Sequence, residues 1–196
     1  MAMGRPRKFD ADEILDKMVD AFWRHGYEGT TMAQLTTIAG LSKPSLYAAF
    51  GDKEALFRAA FARYRERQAA FTGKLLANPV GRLGVERLLL ALVDSQTQPD
   101  MPHGCLMVHG SLVGSPHSAT IREELKLRRK ATEAKIRERL ARAQQDGELA
   151  ADLDVADLAR YFTTVIQGVA VQAASGATRQ ALHRVVKLAM GAWPGP

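Results

Sequence analysis

The chain has 196 residues, 46% hydrophobic and 24% charged, a balance that excludes wholesale disorder and leaves room for a stable core. Its longest apolar run, Leu88 to Val93, is far short of the roughly 18–20 residues that cross a bilayer, so no membrane partner is expected. A lone cysteine, Cys105, excludes an internal disulfide and fits a reducing cytosol, and a net charge of +6 favours anionic partners. The basic start Met-Ala-Met-Gly-Arg-Pro-Arg-Lys lacks the apolar stretch of a secretory signal.

In chain order, Ile14, Met18 and Phe22 recur at helical spacing from Ala11 to His25, and Gly26 is a natural stop. Thr31 followed by Gln34 has the spacing of a capping box for a short helix ending at Ala39. Gly40 stops it, Ser42 caps the next, and Pro44 falls in that helix's first turn, where a missing N–H does no harm. This helix ends at Phe50-Gly51, and Asp52 caps a longer one running toward Leu76. Three short helices with a tight turn at Gly40-Leu41 are the layout of a helix-turn-helix. Beyond them, helices are predicted over 81–96, 105–113, 119–145, 155–174 and 178–192, separated by Gly- and Pro-containing breakers. No hairpin signature or repeat appears. The fold class is all-α, with about nine helices.

The positive charge is spread widely. Residues 1–68 carry a net charge of +2 and residues 69–196 carry +4, much of it between Arg122 and Arg142. There Glu123, Glu124, Glu133 and Glu138 alternate with the bases at helical spacings, as on a solvated, ion-paired helix face. Total charge therefore does not locate a nucleic-acid surface, and local motifs must.

Those motifs are Gly26-Tyr27-Glu28-Gly29-Thr30-Thr31-Met32 and the stretch from Ile38 to Phe57, with Ala-Gly-Leu-Ser, Leu-Tyr-x-x-Phe and Lys-Glu-Ala-Leu-Phe in order. Over residues 9–58 the chain closely resembles the N-terminal domain of TetR/AcrR-family bacterial transcriptional repressors. Thr36, where the family often has Ala, and Ala48-Ala49, in place of a bulkier pair, depart from the pattern; the second leaves base readout thin there. The resemblance implies a basic arm over 1–8, a DNA-binding domain over 9–58 and a ligand-binding and dimerisation domain over 59–196. It also implies a cytoplasmic, nucleoid-associated homodimer on a near-palindromic double-stranded operator. In a helix-turn-helix the second helix enters the major groove, which here presents Lys43, Pro44, Ser45 and Tyr47. Lys43 suits a guanine edge or a phosphate, Ser45 either, and Tyr47 a phosphate. Thr30 and Thr31 can present hydroxyls and N–H groups to the DNA backbone. Lys53 opposes the dipole in the first turn of its helix unless an anion is near, so it and the helix N-terminus would share a phosphate; the alternative is a solvated lysine. Arg5 and Arg7, in a Gly-Arg-Pro arm similar to AT-hook peptides, are either minor-groove contacts or part of a frayed tail.

The same resemblance assigns the second half to an unidentified small-molecule effector, with no cofactor or metal required. A pocket would be lined by residues such as Val93, Met107, Phe162 and Ile166. A Gly-Cys-Leu at Gly104-Cys105-Leu106 resembles a subset of the family that responds through this cysteine to electrophiles or oxidants. A thiol at a helix N-terminus, with the His109 imidazole nearby, would gain thiolate character. Cys105 and His109, with His103, also have donor types that could share a metal, and a packing cysteine is the third reading. The last two helices are apolar on more than one face, so Phe162, Val165, Val169, Leu182, Val185, Val186 and Ala189 are expected to form an isologous dimer interface, or else to be central core. Two rivals remain: a DNA-binding accessory protein without an effector, and a small all-α enzyme, for which the sequence offers no phosphate loop, paired carboxylates or Ser-His-Asp set.

Overall fold

The computed structural model describes residues 10–76, 81–109 and 116–195. Nine α-helices lie among them, and the chain divides into two compact units, 1–67 and 68–196.

In the first unit, α1 (Ala11–His25) begins where Asp10 Oδ1 accepts from the Asp12 and Glu13 amides, and stops at Gly26, whose φ of 68° suits glycine. α2 (Met32–Ala39) carries the full Thr31/Gln34 capping box, and Gly40 closes it in the left-handed region. Ser42 caps α3 (Lys43–Phe50) through the Ser45 amide, and Asp52 caps α4 (Lys53–Leu76) through the Ala55 amide at 2.8 Å. Thr36 is half-buried, and its hydroxyl donates to the Ala33 carbonyl at 2.7 Å, so this departure from the family pattern leaves no polar group unpaired.

Phe22 of α1 and Phe57 of α4 meet edge to face at 5.0 Å, with Leu35 and Leu46 fully buried from α2 and α3. Each short helix thus contributes one apolar anchor to a core built mainly by α1 and α4. Arg63 and Arg67 of α4 both pair with Asp16 of α1, and the hydrogen bond from Arg63 holds that carboxyl below the usual carboxylate range.

The second unit contains α5 (Arg82–Gln96), α6 (Leu106–His109), α7 (Ala119–Gln145), α8 (Val155–Ala174) and α9 (Arg179–Gly191). Its core joins Leu89 and Val93 of α5, Leu140 of α7, Phe162 of α8 and Val186 of α9. The turn after α7 is clamped by Gln144, whose Nε2 donates to the carbonyls of Ala150 at 2.8 Å and Leu153 at 2.9 Å. Asp94 of α5 accepts from Arg179 Nε at 2.6 Å and pairs with His183 Nε2 at 2.7 Å, tying α9 to α5. On α7, Lys126, Arg128 and Lys130 face outward, whereas Arg129 turns in and donates to the Met107 carbonyl. The predicted helix over 105–113 is described only as the single turn α6, and residues 110–113 lie outside the described residues. No helix among the described residues is long and apolar enough to cross a membrane.

Candidate nucleic-acid interface and effector cavity

α3 has eight residues, and Leu46 alone among them is buried. Lys43, Pro44, Ser45, Tyr47, Ala48 and Ala49 are exposed and Phe50 is half-buried, so the helix is anchored chiefly by Leu46 and offers its exposed residues to a partner. Lys43 Nζ lies 5.8 Å from the Tyr47 ring centroid, which groups a cation and a phenol on one face. Ser45 Oγ lies 2.8 Å from the capping Ser42 Oγ and keeps hydrogen-bonding capacity for a second partner. The methyl groups of Ala48 and Ala49 can meet a thymine methyl but carry no hydrogen-bond readout.

Thr31 is exposed at the start of α2, with its hydroxyl and amide bound to Gln34. Thr30 is placed differently. It is buried, and its hydroxyl donates to the Gly26 carbonyl at 2.7 Å, closing the turn after α1. Thr30 therefore supports the fold of the reading head and is not assigned a phosphate. Arg5 and Arg7 lie outside the described residues.

Lys53 stands in the first turn of α4, with its ammonium 4.3 Å from the Tyr27 ring centroid. Burial pulls its pKa below the ordinary lysine value, opposed by Glu28. Tyr27 packs edge to face on Phe57 at 5.3 Å and stacks on Phe22, so the ring that carries the lysine is itself fixed. Sequence reasoning missed this shelf; its one local signal was an aromatic directly after the helix-stopping Gly26. Removing the ammonium in Lys53→Ala should lower the salt slope of DNA binding by about 0.9 for each phosphate left without its cation. Tyr27→Phe should bind like the parent, whereas Tyr27→Leu should lose roughly 2- to 5-fold, because cation–π support is worth about 0.5–1 kcal/mol at exposed sites. Fluorescence anisotropy across a salt series, with thermal unfolding as the folding check, measures both.

In the second unit, Cys105, Met107 and Ile166 line one small cavity of about 30 Å³. Val93 and Phe162, also expected there, are fully buried in the core instead. The cavity is completed by polar residues absent from the sequence-based set: Gln96, Arg129, Thr132, Thr163 and Gln167. The signal for Thr163 was a hydroxyl beside Phe162, next to the apolar stripe of α8. His109 lies against the backbone of Gly104 and hydrogen-bonds to the Ala170 carbonyl; burial pushes its pKa below the ordinary value. With its pKa lowered by burial, His109 is a poor source of imidazolium for the thiol at neutral pH. Arg129, on the same cavity wall, is the cation nearest in kind to what a thiolate needs. Among the described residues no group of three or more His, Cys, Asp and Glu could hold a metal ion.

The expected dimer residues divide by exposure. Phe162, Val169, Leu182, Val186 and Ala189 are buried within the subunit, and Val165 is half-buried. Val185 is exposed, together with Leu188 of α9 and Tyr161 and Val171 of α8.

The family description "Bacterial regulatory proteins, tetR family" matches residues 14–60, and "Tetracyclin repressor-like, C-terminal domain" matches residues 82–189. The chain belongs to the TetR family. It is a TetR-type DNA-binding transcriptional repressor and not an enzyme. It is 36% identical over 196 residues to the transcriptional repressor ComR of Escherichia coli (strain K12), covering 97% of this chain and 92% of that protein. It is 28% identical over 176 residues to the repressor AcnR of Corynebacterium efficiens, covering 90% and 88%. A structure of the TetR-family regulator CifR, with three cysteines replaced and bound to 26-bp operator DNA, superposes with a TM-score of 0.92 at 42% identity, covering 97% of this chain and all of that one. This TetR-family chain thus matches both units of the fold, not the reading head alone.

Proposed function

We propose that this repressor is a homodimer whose 9–58 domains read two halves of a near-palindromic operator and whose 59–196 domains dimerise and sense an effector. The observation that carries the proposal is α3, a helix whose one fully buried side chain is Leu46, with Lys43, Pro44, Ser45 and Tyr47 turned outward. In the major groove, Lys43 and Ser45 reach base edges while Tyr47 and Thr31 meet phosphates. Lys53 joins the N-terminus of α4 at a further phosphate. Arg5 and Arg7 add minor-groove contacts from the arm. CifR, crystallised on operator DNA, supports the same use of this fold.

The dimer forms through the outward faces of α8 and α9. Tyr161, Thr164, Gly168 and Val171 recur at helical spacing on one uncharged, exposed face, and Val185 and Leu188 continue it on α9. The protein works in the cytoplasm, on the nucleoid. Release follows when a small molecule enters the Cys105 cavity or the thiol is modified. Either event shifts α6 against α8 and changes the separation of reading heads that must match half-sites about 34–36 Å apart.

The test is binding of the purified protein to DNA flanking its own gene, titrated against salt, with and without N-ethylmaleimide. Tight, strongly salt-dependent binding over random DNA is expected, with loss on alkylation that Cys105→Ser abolishes. Binding that alkylation leaves unchanged would assign the signal to a non-covalent ligand. Equal binding to random DNA and to a pool selected from the genome would sink operator recognition.

A further inference from the structure

The cavity beside Cys105 has walls with unmet hydrogen-bonding capacity. Gln96 is the last residue of α5 and Thr163 lies within α8; their exposures are 5% and 4%. Both line the cavity, yet neither Gln96 Oε1 nor Thr163 Oγ1 has a hydrogen-bond partner among the described residues. Buried polar atoms are ordinarily paired, and leaving one unpaired is costly. Other helical hydroxyls in this unit, though more exposed, bond back one turn: Thr132 to the Arg128 carbonyl and Thr164 to Arg160. Thr163 does not.

The chemistry of the two atoms restricts what completes them. An amide oxygen only accepts, so the missing group must donate. A threonine hydroxyl donates as well as accepts, so it can give its proton to the same group. The group that completes the pair in chemical type is therefore an O–H, which can donate to Gln96 Oε1 and accept from Thr163. A carboxylate would set a lone pair against that of Gln96 Oε1, and the Arg129 guanidinium on the same wall already donates to the Met107 carbonyl. About 30 Å³ admits one or two water-sized groups, which keeps a ring or a long acyl chain out of this end.

We propose that Gln96 and Thr163 form a recognition subsite for the hydroxyl group of a small neutral alcohol held beside the Cys105 thiol. The proposal rests on the effector role of this unit and adds to it the chemical class of the effector.

Thiol–disulfide exchange on the full-length protein tests it, because Cys105 is the one thiol in the chain. The protein is equilibrated with equimolar 2-mercaptoethanol and 1-propanethiol and their disulfides. The Cys105 thiolate attacks a disulfide sulfur, a new bond to Cys105 Sγ forms, the old S–S bond breaks, and the released thiolate takes up a proton. Mass spectrometry of the Cys105 peptide reads the ratio of hydroxyethyl to propyl adduct. The folded chain should show a ratio about tenfold above that of the same chain unfolded in urea, the size of one net hydrogen bond. Gln96→Leu and, separately, the near-isosteric Thr163→Val should each bring the ratio to within about twofold of the unfolded value. A folded parent ratio equal to the unfolded one, or favouring propyl, overturns the proposal, as does a preference that both variants retain. The readout contains no DNA, so its failure is distinct from failure of operator recognition.

Discussion

Leu188→Asp is expected to leave the subunit folded and to weaken the homodimer by about three orders of magnitude. Leu188 is 78% exposed, the most exposed large apolar side chain among the described residues, and it stands one turn from Val185 on the outer face of α9. Removing it leaves the subunit core unchanged, because the inward positions of α9 are Leu182, Val186, Ala189 and Met190. In an isologous interface each substitution acts twice. Losing about 2 kcal/mol of apolar burial per leucine makes about 4 kcal/mol for the pair, which is roughly 1,000-fold in dissociation constant. Sedimentation velocity measures the dissociation, and far-ultraviolet circular dichroism checks the fold. Operator affinity should fall with it, since two reading heads joined in one dimer bind with an effective concentration that a monomer lacks. A variant that stays dimeric would place the interface on another face. Val186→Asp is the contrasting control: this residue is fully buried, so an unpaired charge there should unfold the unit instead of separating folded subunits.

The second large effect is expected at Gly104. Its φ of +83° disfavours any side chain, and a Cβ there would sit 2.7 Å from the Ala170 carbonyl oxygen and 2.4 Å from His109 Cε1. Backbone of α8 cannot yield as a flexible side chain can, so the α6 turn itself must move. Gly104→Ala should cost about 2–5 kcal/mol, combining roughly 1–2 for the left-handed backbone with 1–3 for overpacking. Gly147 provides the calibration, since its φ of +79° is similar but none of the described residues lies within 4 Å of the Cβ position. Gly147→Ala should therefore cost only the backbone part, about 1–2 kcal/mol. The difference between the two shifts in urea-unfolding free energy isolates the close approach, and equal shifts would rule it out. The same close packing places Cys105, the next residue, against α8. A change at the thiol can thus be felt by the helix that also carries part of the proposed dimer face.

Much of the reading head was legible in the sequence because its determinants are local. Thr31, Ser42 and Asp52 cap helices that start within a residue or two of them, and Gly26, Gly40 and Gly51 end helices through backbone angles that need no tertiary partner. The outward set on α3 followed from the same register. Thr30 and Thr31 look alike as neighbours in sequence, but only packing against the turn after α1 makes one a buried brace and leaves the other exposed. Lys53 carried a sequence-level signal of its own, a cation at the wrong end of a helix dipole. The Tyr27 shelf that holds it had only the aromatic after Gly26 as a signal, because it joins a turn to a helix start many residues away.

The amino-acid sequence by itself determined that the chain is all-α and where its helices begin and end in the first unit, since caps, stops and apolar periodicity act over a few residues. Tertiary structure alone decided which faces of α8 and α9 look inward. Both helices are apolar on more than one face, so periodicity cannot rank Phe162 and Val186 against Tyr161 and Leu188; packing on α5 and α7 does. Tertiary structure also decided what surrounds Cys105. Gln96, Arg129 and Thr163 are far apart in sequence, and their convergence on one small cavity is a property of how three helices pack.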